Sequence, residues 1–320
     1  MHKAGNAPFF IIGVHRSGTT LLRFMLSSSP RLYIPPESDF IPRFFLRHPT
    51  RPLNRRKIAS LLDIIFDQYR FVRSWEGARP TAEQIMARME APTPAAFLDT
   101  LYSLYAAQHG AERWGDKTPI YSSYVPLLDV LFPDAQFIHL IRDGRDVALS
   151  MLDQWGSKEP HVDIFFTARN WLRRIRAAQA AGRVLGPHRF YELRYESLVQ
   201  APEETMRRIC GFLGEPFVDA MAEQHRLARK VVAADGFHAP VRQPPSTGRI
   251  GRWEREMSTP DLRLFQAVAG PLLYELGYEL ADAGPMPTAE QIRLAALAAK
   301  YGILQIGRRM LQAAGLMPPI

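Results

Sequence analysis

The segment Phe9-Phe10-Ile11-Ile12-Gly13-Val14-His15-Arg16-Ser17-Gly18-Thr19-Thr20-Leu21-Leu22 constrains this chain more than any other. An apolar run of strand length breaks into a loop bounded by two glycines, then resumes as an apolar helical pattern. That order gives a strand, a loop and a helix N-terminus, with the Gly-x-x-x-x-Gly spacing of a nucleotide-binding P-loop from Gly13 to Gly18. The glycines let backbone N–H groups close on an anion, and the helix adds its unpaired N–H groups and positive dipole end. Thr19-Thr20 stands where a nucleoside triphosphatase carries Lys-Ser/Thr. Without the lysine that holds β- and γ-phosphates, the loop suits a phosphorylated nucleotide but not the splitting of a triphosphate.

Two further strands are predicted. Ala135–Ile141 follows the turn Pro133-Asp134 and precedes a helical pattern carrying Val147, Ala148, Met151 and Leu152. Arg189–Tyr195 precedes a helix over Glu203–Leu213 that Gly214 is placed to end. Strands alternating with helices predict an α/β fold, a P-loop-like three-layer sandwich with a mainly parallel central sheet covered on both faces. Residues 44–112 read as a helical insertion, with patterns over Ile58–Tyr69 and Thr81–Met89, the second opened by a Thr81/Gln84 capping box. Ala233–Arg252 is rich in Pro, Gly, Gln and Arg and reads as a long loop, a kind often functional inside a domain. Ser258 then starts a helix that Gly277 stops. Residues 285–320 form an amphipathic helical tail opened by Thr288 and Gln291, with Ile292, Leu294, Leu297, Tyr301, Leu304 and Leu311 interleaved with Arg293, Lys300, Arg308 and Arg309.

The formal charge of +8 points to anionic ligands or an anionic surface. Arginine is scattered and no nucleic-acid signature appears, so no nucleic-acid partner is expected. Cys210 is the sole cysteine and lies on the apolar face of a helix, a packing position compatible with a reducing cytoplasm. The first apolar run is only a strand long, and no run reaches membrane-spanning length, so the expected setting is cytoplasmic. The basic, amphipathic tail suits peripheral contact at the inner membrane face, a partner helix, or packing back on the domain. No metal-ligand cluster of Cys and His is present in the sequence.

A second anion site is predicted at Arg142-Asp143-Gly144-Arg145-Asp146-Val147-Ala148-Leu149-Ser150. Arg142 ends a strand, at the edge where open α/β sheets bind ligands, and Ser150 follows on the next helix. Taken alone, the segment reads equally as a strand cap followed by an ordinary helix. Paired with the first loop, it describes a nucleotide with two separated phosphates.

Together these motifs resemble the sulfotransferases that use 3′-phosphoadenosine 5′-phosphosulfate (PAPS). The first loop is similar to their 5′-phosphosulfate loop, and Arg142 to Ser150 has the spacing of their 3′-phosphate motif. Within that superfamily the chain resembles the tyrosylprotein sulfotransferase branch and its bacterial relatives. The residues carrying this are Arg16-Ser17-Gly18-Thr19-Thr20, Glu37 before Ile41-Pro42-Arg43, Asp116-Lys117-Thr118-Pro119, and Arg194-Tyr195-Glu196. The resemblance runs at motif level over residues 8–278 and makes residues 1–284 a sulfotransferase domain, with the 44–112 insertion shaping the acceptor cleft.

The resemblance implies sulfuryl transfer from PAPS to a hydroxyl acceptor, with adenosine 3′,5′-bisphosphate (PAP) as product and no metal. As in phosphoryl transfer, positioning and charge stabilisation do most of the work. Arg16 with Ser17, Gly18, Thr19, Thr20 and Leu21 is expected to cradle the 5′-phosphosulfate. Arg142 and Ser150 would take the 3′-phosphate, Tyr195 the nucleotide, and Arg249 or Arg252 the late-loop contact. Lys117 would neutralise the leaving oxygen. Glu37 matches the general base, which partial burial among Tyr33, Pro35, Pro36 and Phe40 would tune upward. A base from the other sulfotransferase pattern would be His48, His109 or His161, while His139 reads as a core histidine. Departures from the tyrosylprotein pattern are Pro36 where a second acid stands, Asp39 where an arginine stands, and His15 where a proline stands. The acceptor stays open among peptide tyrosine, saccharide, lipid and secondary metabolite. The alternatives are a small-molecule kinase with a degenerate P-loop and a non-catalytic nucleotide-binding protein of the same fold.

Overall fold

A computed structural model describes residues 7–159, 161–233 and 239–313. Within the expected late loop, residues 234–238 therefore lie outside the described set, as do residues 314–320 of the expected tail and the side chains of Arg308, Arg309 and Leu311.

Five strands form the sheet: β1 (Phe9–Gly13), β2 (Leu32–Tyr33), β3 (Arg113–Lys117), β4 (Gln136–Ile141) and β5 (Phe190–Arg194). All neighbours run parallel in the order β2-β3-β1-β4-β5. Connections leave β1 toward β2 and β3 on one side, and toward β4 and β5 on the other. The carboxyl end of β1 is thus a topological switch point, where an open parallel sheet leaves a crevice for ligand.

The helices are α1 (Thr19–Leu26), α2 (Phe40–Phe45), α3 (Arg55–Gln68), α4 (Ala82–Met86), α5 (Pro94–Gln108), α6 (Val125–Leu131), α7 (Gly144–Met151), α8 (Ile164–Leu185), α9 (Tyr195–Gln200), α10 (Pro202–Leu213), α11 (His225–Val231), α12 (Trp253–Glu256), α13 (Thr259–Glu275) and α14 (Thr288–Ala313). Strand alternation divides the core. Phe9 and Ile11 face α1, α9 and α10. Phe10 and Ile12 join one core with Phe137 and the apolar faces of α3 to α6. A third cluster sets Val14 and Ile141 against α7, α8 and α13. The result is helix, sheet and helix in three layers, as the sequence predicts.

Local signals account for several boundaries. Thr81 and Gln84 make the reciprocal capping box of α4, which ends at Met86 rather than Met89. Gly214 closes α10 at φ 72°, and Ser258 caps α13 by accepting from the Asp261 amide. Tyr195 opens α9 instead of ending β5. Strands β2 and β3 and helices α2, α6, α8, α9, α11 and α12 are not marked by the sequence pattern, and α5 falls within the expected helical insertion without a pattern of its own.

The sheet end opposite the crevice is structural. The buried Arg113 guanidinium donates to Ala7 O at 2.7 Å, Leu213 O at 2.7 Å, Gln136 Oε1 at 2.7 Å and Glu215 Oε1 at 3.2 Å. One side chain there ties β3 to the entry of β1, the start of β4 and the end of α10.

Candidate active site

At the end of β1 the chain turns tightly, the Ser17 amide donating to Val14 O at 3.1 Å. Arg16 and Gly18 both adopt left-handed backbone, at φ 73° and 93°. Gly18 has no alternative, because a Cβ there would lie 2.4 Å from the Tyr195 ring. Among the described residues, Arg16 and Asp39 are the non-glycine positions with positive φ, and both stand at this site. Backbone strain of order 1–3 kcal/mol per residue persists only where the surroundings enforce it, and it gathers at ligand clamps.

Arginine side chains converge on the turn. Arg16 Nε donates to Ser150 Oγ at 2.8 Å. Arg142 donates to Arg16 O at 3.1 Å and to Arg249 O at 2.6 Å, and its guanidinium lies 4.7 Å over the Tyr195 ring. The structure thus brings together Arg16, Gly18, Arg142, Ser150, Tyr195 and Arg249. Burial, then the Arg249 and Arg142 cations, push Arg16 down to about 10. Cations that oppose one another in this way favour an anion between them. Ser17 Oγ and Arg142 Nε are buried with no hydrogen-bond partner, the condition expected of groups shaped for a ligand's oxygens. Arg252 is turned elsewhere, donating to Asp153 at 3.0 Å and pairing with Glu256. Leu21 packs in the core, so only its backbone faces the loop.

Lys117, the last residue of β3, joins this cradle to an acid. Its Nζ donates to Glu37 Oε1 in a close ion pair and to Thr20 Oγ1 at 3.3 Å. The lysine side chain is 2% exposed and the glutamate 23%. Burial lowers the Lys117 ammonium from its ordinary range, and Glu37 counters that effect. The carboxylate, the ammonium and the anion loop form one line of contacts across the switch point. Glu37 is paired with Lys117, while Arg43 donates to Tyr69 OH at 3.2 Å.

His15 packs edge-on against Trp155 at 6.0 Å between ring centroids. Burial and then Arg174 push it down to about 4, so it is neutral at pH 7. Trp155 belongs to a π-helical turn over Leu152–Gly156, a local widening frequent at functional sites. Neither Trp155 nor Arg174 is marked in the sequence: the π turn leaves no periodicity around Trp155, and Arg174 is one of several arginines along α8. Of the other histidines considered from sequence, His109 stacks on Tyr33 at 4.1 Å, His161 sits beside Glu159, His48 is exposed, and His139 Nδ1 pairs with Glu192 at 2.9 Å. Cys210 is a buried thiol, pushed up to about 11 by burial. Among the described residues there is no group of three His, Cys, Asp or Glu side chains arranged to hold a metal ion.

A parallel sheet with a glycine-turned, arginine-lined loop at its switch point defines a P-loop-like α/β protein. Residues 8–219 match the profile of the sulfotransferase family. The chain belongs to that family. It is 28% identical over 299 residues to the nodulation protein NoeE of Sinorhizobium fredii, covering 84% of this chain and 65% of that protein. A putative protein-tyrosine sulfotransferase of Caenorhabditis briggsae is 27% identical over 286 residues, covering 86% and 90%. Against an uncharacterised protein of Aquifex aeolicus, 28% identical over 81% of this chain, the match spans only 32% of the relative's length. Among solved structures, the sulfotransferase domain of the Synechococcus PCC 7002 olefin synthase superposes with a TM-score of 0.62 at 25% identity, over 88% of this chain and 98% of that one.

Proposed function

We propose that this protein transfers a sulfuryl group from PAPS to a hydroxyl acceptor. The observation that carries the reading is the contact line Glu37–Lys117–Thr20, which links a carboxylate to the anion loop through one buried ammonium. The donor supplies the sulfur electrophile. The acceptor oxygen forms the new O–S bond as its proton passes to Glu37, and the bond from sulfur to the 5′-phosphate oxygen breaks. Negative charge then grows on that oxygen, where Lys117 and Arg16 neutralise it. Ser17, Gly18, Thr19, Thr20 and the Leu21 amide cradle the 5′ end. Arg142, Ser150 and Arg249, with Tyr195, receive the 3′-phosphate side, while Arg252 acts at the rim through Asp153 and Glu256. A kinase would need a substitute for the lysine missing after Gly18, and a mere binding protein has no use for a base beside the loop.

The acceptor cleft is assigned to the Glu37 side, bounded by the 44–112 insertion. Asp39, raised to about 6 by desolvation and then by Glu37, is mostly ionised at pH 7. A second acid beside the base disfavours acidic peptides relative to neutral alcohols and phenols. Calorimetric titration with PAP tests the reading: tight binding without added metal is expected, and absence of binding overturns it. Incubation with labelled PAPS and cell extract, followed by mass identification of the product, names the acceptor.

A cytoplasmic setting with peripheral membrane contact through α14 completes the proposal. Among the described residues no helix is long and apolar enough to cross a membrane. The membrane contact is supported by Ile292, Ile303, Ile306 and Met310, which stand 61–71% exposed on α14. Its opposite face is held by Arg293–Asp261, Lys300–Asp163 and the Phe165–Tyr301 contact. Co-sedimentation with anionic vesicles should fall when the chain is truncated before Thr288. Equal binding by both forms refutes the contact.

A further inference from the structure

The two residues assigned to proton and charge transfer come from separate segments, yet their neighbours in sequence meet as well. Strand alternation sends Lys117 to one face of the sheet and Asp116 and Thr118 to the other. Glu37 and Ser38, consecutive in the irregular segment after β2, likewise face opposite ways. On the reaction side Glu37 meets Lys117. On the core side Ser38 Oγ donates to Asp116 Oδ2 at 2.8 Å, and the Ser38 amide donates to Thr118 Oγ1 at 3.1 Å. Tyr102 OH donates to the same carboxylate oxygen at 2.6 Å. Tyr121 OH lies 2.6 Å from Ser38 Oγ and accepts from the Ile41 amide at 3.3 Å. Ser38, Asp116, Thr118, Tyr102 and Tyr121 are all buried, none more than 1% exposed.

We infer that Ser38 and Asp116 are positioning residues, a buried clamp that sets the placement of Glu37 against Lys117. The inference rests on the roles proposed above for those two residues. Three facts argue for it. The segment over residues 37–39 is short and irregular and includes the strained Asp39, so by itself it has no means of holding a carboxylate in register with a strand. The clamp attaches at two points of one residue, side chain and amide, which fixes both position and orientation. It is also built from a carboxylate that burial penalises and whose Oδ2 accepts from both Tyr102 and Ser38. A purely structural site of this size would be filled more cheaply by apolar side chains. A misplacement of about 1 Å at a reacting centre costs on the order of 10²-fold in rate.

The test uses the full chain, labelled with 15N at lysine, as parent, Ser38→Ala and Ser38→Thr, with Lys117→Arg to assign the signal. Following the Lys117 Nζ resonance through a pH titration reads its contact with Glu37 directly. In Ser38→Ala the titration should move to lower pH as the carboxylate loses its hold, and in Ser38→Thr it should return toward the parent. Calorimetric PAP affinity should stay within about twofold, while turnover with a phenol probe falls on the order of 10²-fold in Ser38→Ala. An unchanged Lys117 signal in Ser38→Ala overturns the clamp, and so does a loss of PAP affinity that parallels the loss of turnover. Tyr102→Phe, which removes one donor to Asp116 while preserving the ring, should shift the same signal in the same direction. A parent that binds no PAP defeats the proposed function instead, and the Lys117 titration still decides the clamp.

Discussion

Arg16 Nε donates to Ser150 Oγ at 2.8 Å, across 134 residues of chain. The contact joins the loop after β1 to the second turn of α7, so the two anion sites inferred separately from sequence share a wall. Arg142, the neighbouring member, holds that wall from behind by donating to the backbone carbonyls of Arg16 and Arg249. The 5′ and 3′ ends of a bound nucleotide would therefore be sensed by one connected set of arginines.

Ser150→Ala removes the acceptor that orients Arg16 and should weaken PAP binding about tenfold, the worth of one hydrogen bond to a charged group. Calorimetry on parent and variant measures it. Unchanged affinity would show that Arg16 holds its place without Ser150.

Gly18→Ala should be far more damaging than its size suggests. An L-residue in left-handed backbone costs about 1–2 kcal/mol, and the new methyl would lie 2.4 Å from Tyr195 Cδ2. Tyr195 carries the Arg142 guanidinium on its face, so displacing the ring disturbs both anion sites. Denaturant melts should show a loss of about 2 kcal/mol or more, with PAP binding abolished. Gly211→Ala is the control: it lies in α10 with nothing within 4 Å of the added carbon and should gain up to about 1 kcal/mol.

Much of this site is legible in sequence because its parts are tied to chain punctuation. Gly13 and Gly18 bracket the loop, and Arg142 follows an apolar strand. Lys117 is harder to place. Its strand reads Arg113-Trp114-Gly115-Asp116-Lys117, a pattern with a glycine and three charges that shows neither alternation nor an apolar run. Those charges can be buried because Arg113 donates to backbone and glutamate, Asp116 Oδ2 accepts from two hydroxyls, and Lys117 pairs with Glu37. Periodicity cannot report tertiary satisfaction of this kind. Gly115 is needed because a Cβ there would lie 2.4 Å from the Phe9 ring, again a contact distant in sequence. The aromatic core of the insertion was hidden likewise: α5 is apolar nearly all round, since it packs against β3 and the helices beside it.

His15 gives a pH signature. Its folded pKa is about 4 against an ordinary 6.5, so between those values the unfolded chain binds more protons and stability rises with pH. The contribution is complete above about pH 6.5, is lost as pH falls toward 4, and amounts to about 3 kcal/mol. Asp39, raised from 3.8 to about 6, acts oppositely, losing stability as pH rises through that window. The difference between parent and His15→Gln isolates the histidine. Melts from pH 4 to 7 should show a shallower rise with pH in the variant, and parallel curves would refute a neutral His15.

Glu37 and Lys117 should behave as one unit. Glu37→Gln keeps the shape of the side chain but removes the proton acceptor and leaves a nearly fully buried ammonium without its carboxylate. Turnover should fall by about 10² to 10⁴, with PAP affinity within about threefold, because the nucleotide cradle is untouched. Lys117→Met should also suppress turnover, since charge on the leaving oxygen then goes unneutralised. It should weaken PAP binding more than Glu37→Gln does, because Lys117 also donates to Thr20 in the loop. If the pair acts through a shared transition state, the double variant should be scarcely slower than the worse single one. Steady-state kinetics on the four proteins decides this: multiplicative losses would mean that the two residues act independently, and full turnover in Glu37→Gln would remove Glu37 from the chemistry.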